Sequence, residues 1–229
     1  MTAALDNIIW NSLTGSQARF AAGAGGARRY AKGFSPIVGF ANPRDPDFAA
    51  LEPFCDADEH FYCSGWSGAA PRGWQVEADT TMCIMVCTAT TLPGSSQPAG
   101  REAVRLGAEH AQQALDLAIL TRPGPFGLRT IELGDYFGYF EGGRLVAMAG
   151  ERMQAGSLRE ISGVCTHPDF QGRGLARALM ARLLALQRAR GETTFLHVMS
   201  TNTSARKLYE SMGFRNHLEP VVRVVGRCA

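Results

Sequence analysis

No run of about 18 or more apolar residues occurs in this 229-residue chain, so a membrane-spanning helix is not expected. Asp6 and Asn7 precede any apolar run, which does not read as a secretory leader, and a cytoplasmic location with no membrane partner is the default expectation. No basic run and no strip of interleaved aromatics is present, and a formal net charge of +2 is too small to argue for a nucleic-acid partner. Cys55, His60 and Cys63 come nearest to a metal cluster, but their spacing is not that of a usual zinc site and a fourth ligand is missing, so no metal is expected. Without a leader the six cysteines need no disulfides, and Cys83 and Cys87, inside the apolar run TMCIMVC, read as packed thiols. What remains is a globular composition, 45% hydrophobic and 19% charged, long enough for one large domain or two small ones.

The informative stretch is residues 160–176, EISGVCTHPDFQGRGLA. Ile161, Val164 and Cys165 form a strand-like run, Pro168 ends its pairing because it has no N–H, and Gly172 and Gly174 leave backbone amides unshielded. A helix follows, with Leu175, Leu179, Leu183 and Leu186 as its apolar stripe, Arg173, Arg177 and Arg188 on another face, and Gly191 as its stop. A glycine turn at a helix N-terminus presents free N–H groups and a partial positive charge, a setting for phosphate. Gly163 interrupts the strand, which marks a bulge or a close approach by a ligand. Next, Thr194–Met199 reads as a second buried strand parallel to the first, and a short helix capped by Thr203 or Ser204 runs to Gly213 with Ala205, Leu208, Tyr209 and Met212 turned inward.

These segments, HPDFQGRGLA, then FLHV, then NTSARKLYESMGF, resemble a GCN5-related N-acetyltransferase (GNAT) domain of the FR47-like branch over residues 103–229. Gln171, Gly172, Arg173, Gly174, Leu175 and Ala176 match the family's pyrophosphate loop. The resemblance implies an acetyl-CoA donor, with the backbone of Val164, Cys165 and Thr166 pairing with the pantetheine arm. It also implies roles at the donor site for Asn202, Ala205 and Tyr209. Tyr209 matches the family's general acid, whose proton reaches the CoA sulfur. Glu160, eleven residues before Gln171, stands where the histone-acetylating branch has its base. His197 and ordered water are the alternatives, since an imidazole titrates near neutral pH.

In chain order, residues 5–20 suggest a helix, Ala27–Tyr30 and Ile37–Phe40 strands, Asp45 and Pro46 the start of another helix, and His60–Ser64 and Trp74–Thr88 further strands. Residues 1–95 are expected to form a smaller α+β unit with no second phosphate loop, for which the resemblance allows a degenerate GNAT-like half. Residues 96–102 serve as a linker, ahead of a mixed α/β sheet in residues 103–229. A strand at Val104 precedes a helix over Glu109–Leu120 with Ala111, Leu115, Ala118 and Ile119 as its apolar side, and a hairpin turns at Gly142 and Gly143. The proline- and glycine-rich loop between them makes Phe126 and Arg129 candidates to touch the acceptor.

The charge is uneven: residues 1–100 carry six basic and nine acidic groups, 101–229 carry 17 and 12, so the basic half is the one with the loop. A strand amide near Val164 is the expected donor to an oxyanion. Cys165 suggests a thiol nucleophile, but no histidine partner is set by the sequence and the family transfers directly. The expected activity is acetyl transfer to a primary amine of a small molecule or peptide, by a monomer or homodimer. The alternative is an acyl-CoA-binding sensor that has kept the fold without the chemistry. A nucleotide-binding protein is disfavoured because no Walker lysine follows the glycines.

Overall fold

A computed structural model describes residues 2–90 and 101–228. The first part holds α1 (Ile8–Thr14), β1 (Ala21–Ala22), β2 (Ala27–Tyr30), β3 (Val38–Phe40), α2 (Phe48–Leu51), β4 (His60–Ser64) and β5 (Trp74–Cys87). After it come β6 (Val104–Arg105), α3 (Ala111–Thr121), β7 (Tyr136–Glu141), β8 (Arg144–Ala155) and β9 (Leu158–Thr166). The chain closes with α4 (Leu175–Ala189), β10 (Thr193–Met199), α5 (Thr203–Ser211), β11 (Phe214–Leu218) and β12 (Val221–Arg227).

A small antiparallel sheet, β1-β2-β3, sits beside a large mixed sheet of order β4-β12-β5-β10-β9-β8-β7-β6. Among the described residues only β9 and β10 run parallel within the large sheet, joined by the α4 crossover that the sequence predicts. The division of the chain into residues 1–95 and 103–229 has no counterpart in this sheet. β5, from the first part, pairs with β10 along one edge and with β11 and β12 along the other. Of the predicted linker, residues 96–100 lie outside the described residues.

The sheet is covered on both faces, which explains why β5 ends in the continuous apolar run CIMVC. Cys83, Met85, Leu196 and Val198 pack with Leu175, Leu179, Leu183 and Tyr209 on the side of α4 and α5. Ile84, Val86 and Phe195 pack with Leu5, Ile8, Ile9 and Leu13 on the side of α1. Each fully buried aliphatic or aromatic side chain in these layers contributes about 1.5–3 kcal/mol relative to an exposed one. α3 covers β7, β8 and β9 through Ala114 and Leu117 against Tyr136, Met148 and Cys165.

Several local expectations shift. The first helix is only Ile8–Thr14, flanked by short 3-10 helices at Thr2–Asn7 and Ala18–Phe20. It ends at Gly15, where a Cβ would lie 2.7 Å from the Asn11 carbonyl oxygen. α2 is capped by Asp47, which accepts the Ala50 N–H at 3.0 Å, not by Asp45. The buried side of α3 is Ala114, Leu117 and Ala118, while Ile119 is 65% exposed. The cap of α5 is Asn202, whose Oδ1 accepts the Ala205 N–H at 3.1 Å, in place of Thr203 or Ser204. His60 turns to Glu77 at 2.7 Å, while Cys55 donates to the Leu51 carbonyl, so each has a partner outside the Cys55, His60 and Cys63 set.

Candidate active site

β9 runs into a 3-10 turn, Pro168–Phe170, and then into Gln171, Gly172, Arg173 and Gly174, all exposed. Gly172 and Gly174 both have φ of +74°, a left-handed backbone that disfavours side chains, and a Cβ at either would meet open space. The glycines are therefore needed for the turn, and what they leave is an open cradle. No side chain among the described residues caps α4, so its first N–H groups face that cradle. Leu175 is buried and anchors the helix start, with Ala176 half-buried beside it. Arg173 bonds back to the Asp169 carbonyl at 2.9 Å and lies over the Phe170 ring. Arg177 reaches Ser211 Oγ at 2.6 Å, tying α4 to α5.

The parallel ladder between β9 and β10 runs from Leu158 opposite Thr193 to Ile161 opposite Leu196 and goes no further. Beyond it Gly163 takes φ of +63°, and the register with β8 shifts between Met148 and Gly150, which is the bulge the isolated glycine predicts. Cys165 and Thr166 still pair with Met148 and Ala147 of β8. Their opposite edge, with that of Val164, has no strand partner among the described residues, so the two strands splay apart. The splay opens toward the glycine turn, since β9 leads straight into it. α5 follows β10 on the other arm, bringing Tyr209 into the core beside Phe214. Burial pushes the Tyr209 phenol up to about 12, with Cys165 adding to the push.

Glu160 and His197 flank the last rungs of the ladder. Ile161, Leu196 and Val198 point toward α4, so by strand alternation Glu160 and His197 point to the opposite face. Glu160 is 1% exposed, and Arg152 grips it through two hydrogen bonds, Nε to Oε2 at 2.9 Å and Nη2 to Oε1 at 2.6 Å. The Met153 N–H donates to Oε2 at 3.2 Å, and His197 Nδ1 stands 2.7 Å from Oε1. Burial raises the carboxyl, but Arg152 and then His197 outweigh it and hold it down to about 2. A carboxylate so held is a weak proton acceptor, which departs from its expected role as the base. Being ionised, it can only accept hydrogen bonds. His197 Nδ1 therefore donates to it, which turns Nε2 away from the carboxylate.

Phe126 also comes in, its ring edge-on to Tyr136 at 6.0 Å. Arg129 turns away, paired with Glu132 at 2.8 Å and stacked over Phe34. Cys165 is buried and its thiol is pushed up to about 11, far from thiolate chemistry. Sequence reasoning missed Arg152 and Tyr136. The only signal for Arg152 was the charged pair Glu151 and Arg152 inside the largely apolar strand LVAMAGERMQA. A polar cleft of about 310 Å³, lined by Arg105, Asp135, Glu151 and Arg190, lies at the other end of α4. Its charges are cross-paired.

A family model described as "FR47-like protein" matches residues 136–224, from β7 into β12. A solved structure of a GNAT-family protein from Novosphingobium aromaticivorans is similar over the whole chain, covering 98% of this chain and 99% of its own, with 32% identity and a TM-score of 0.86. The chain belongs to the GNAT family. Its FR47-like region contains the splay, the glycine turn, α4 and α5 described above. Two curated relatives share shorter stretches with this GNAT chain. The N-alpha-acetyltransferase RimI of Mycobacterium tuberculosis is 36% identical over 35% of this chain and 51% of its own. The ribosomal protein bS18-alanine N-acetyltransferase of Salmonella typhimurium is 36% identical over 29% of this chain and 50% of its own. The chain thus spans about half the length of these curated relatives.

Proposed function

We propose that this chain is an acetyl-CoA-dependent N-acetyltransferase acting on a primary amine of a small molecule or peptide. The observation that carries the reading is the splay of β9 from β10, which opens into an uncapped helix N-terminus. The free edge of Val164, Cys165 and Thr166 offers backbone groups to the amides of a pantetheine arm, as a missing strand would. The amides of Gly172 to Ala176 suit the pyrophosphate, with Gln171 and Arg173 beside them. Asn202 and Ala205 bound the other arm of the splay through the cap of α5, so Asn202 contributes by ordering that arm.

The chemistry needs a proton taken from the amine and one given to the departing sulfur. His197 Nε2 takes the first, with Glu160 as the positioning group that fixes the tautomer. Tyr209, kept protonated by burial, gives the second. His197 and Tyr209 belong to opposite faces of the sheet, which suits acceptor and donor arriving from different sides of the splay. An amide beside the Gly163 bulge suits the oxyanion. The curated relatives named as N-acetyltransferases support an amine as acceptor. The open splay is also what a non-catalytic acyl-CoA sensor would retain.

Thermal unfolding with and without acetyl-CoA tests the donor. A ligand that binds only the native state raises the melting temperature with concentration. The expected rise disappears in a Gly172→Glu, Gly174→Glu double variant, where two carboxylates occupy the cradle. No rise at saturating acetyl-CoA would refute the reading. A rise with no CoA released across a panel of amines would favour the sensor.

A further inference from the structure

Tyr136 is fully buried on β7, yet its hydroxyl has no hydrogen-bond partner among the described residues. Burying a hydroxyl unpaired is unfavourable, and natural structures rarely leave one so. The neighbouring buried Tyr30 shows the ordinary solution, its hydroxyl donating to Gln17 Oε1 at 2.6 Å.

The path of the Tyr136 ring gives its hydroxyl a destination. Gly150 lies opposite Tyr136 on β8, and Ser162 lies opposite Gly150 on β9. The ring lies across β8 at Gly150, where a Cβ would fall 2.1 Å from Tyr136 Cγ. It ends at Gly163, where a Cβ would fall 3.2 Å from Cε1 and 3.7 Å from Oη. Phe126 closes the same spot, 3.4 Å from that Cβ position. Two glycines thus clear a lane that delivers one hydroxyl to the point where β9 parts from β10. Burial pushes the phenol above its ordinary value, so it keeps its proton and acts as a donor.

We propose that the Tyr136 hydroxyl donates a hydrogen bond to the acyl carbonyl oxygen of the bound thioester, at the Gly163 bulge. The inference rests on the acetyl-CoA reading above. The amine is the poorer target, because a donor held protonated would tie up the lone pair that must attack. In the transfer, that lone pair forms the new C–N bond while the C=O π pair moves onto oxygen, where the Tyr136 O–H meets it. As the pair returns, the C–S bond breaks and sulfur leaves with its electrons and takes a proton. The amine's surplus proton goes to His197. Tyr136 keeps its own proton throughout.

Tyr136→Phe retains the ring that fills the lane over Gly150 and removes only an unpaired group, so its melting temperature should equal or exceed that of the unsubstituted protein. The decisive readout is the ¹³C resonance of protein-bound acetyl-CoA labelled at the carbonyl carbon. Loss of a hydrogen bond should move it upfield in the variant, and turnover with any accepted amine should fall roughly a hundredfold at unchanged KM for acetyl-CoA. An unmoved resonance in a variant that binds acetyl-CoA overturns the assignment and leaves the donor reading intact. Failure of the unsubstituted protein to bind acetyl-CoA removes both.

Discussion

Glu160 Oε1 lies 2.7 Å from His197 Nδ1, joining the two parallel strands one step before they separate. The contact ties an imidazole to a carboxylate that is already neutralised by Arg152. The imidazole is thereby oriented without the carboxylate competing for its proton. Replacing His197 with Gln should accordingly depress turnover roughly 10²-fold or more, while acetyl-CoA still raises the melting temperature. Unaltered turnover would assign the base to another group.

Glu160→Gln should act first on stability. It leaves the Arg152 guanidinium buried without a counter-charge, a loss of about 3–5 kcal/mol. The folded carboxyl sits at about 2, below its ordinary 4.5. Its contribution is therefore complete above pH of about 4.5 and is lost as the pH falls toward about 2. Urea unfolding across that window should show a decline in the unsubstituted protein that the variant lacks. Parallel curves would show that the ion pair does not stabilise the fold.

Tyr209→Phe should lower turnover roughly 10²-fold to 10⁴-fold, the usual contribution of a general acid, while acetyl-CoA still raises the melting temperature as before. Unaltered turnover would leave Tyr209 a packing residue against Phe214.

Thiol reagents discriminate between Cys165 and Cys228. Cys228 is exposed, whereas Cys165 is buried with its thiol pushed up to about 11. Native protein should be alkylated at Cys228 and spared at Cys165, and Cys165→Ala should retain transfer. Rapid labelling of Cys165 with matching loss of activity would revive a covalent route.

Gly150→Ala should be among the most damaging single-methyl additions in the chain, because the new Cβ would overlap the Tyr136 ring. A loss of about 1–3 kcal/mol or more is expected from such overpacking, read as a lowered denaturation midpoint. A midpoint within a few tenths of a kcal/mol of the parent would mean that Tyr136 has another place to go.

What the sequence disclosed was local. β4, β2 and the Gly142–Gly143 turn lie where their residues predict, because alternation and positive-φ glycines act within a few positions. The same holds for the glycine turn and for α4, whose cause is contained in 15 consecutive residues. Residues whose surroundings come from distant strands were illegible. Nothing near Arg152 announces Glu160, and nothing near Tyr136 announces the lane across Gly150 to Gly163, since both depend on a register that includes bulges. The face of α3 was misread by a single position, enough to expose Ile119. Arg129 sits in the right loop but turns outward to Glu132. Sequence pattern places a residue in a loop and leaves its direction open.

β5 meets partners more than a hundred residues later in the sequence, with Thr81 opposite Val221 and Cys87 opposite Phe214. On the ribosome its apolar CIMVC segment stays unpaired until residues 193–218 have emerged. Contacts of such long sequence separation slow folding and leave strand edges open to intermolecular pairing. A fragment of residues 103–228 expressed alone would carry β10, β11 and β12 with bare edges, and should be recovered as aggregate unless residues 60–90 are supplied in trans.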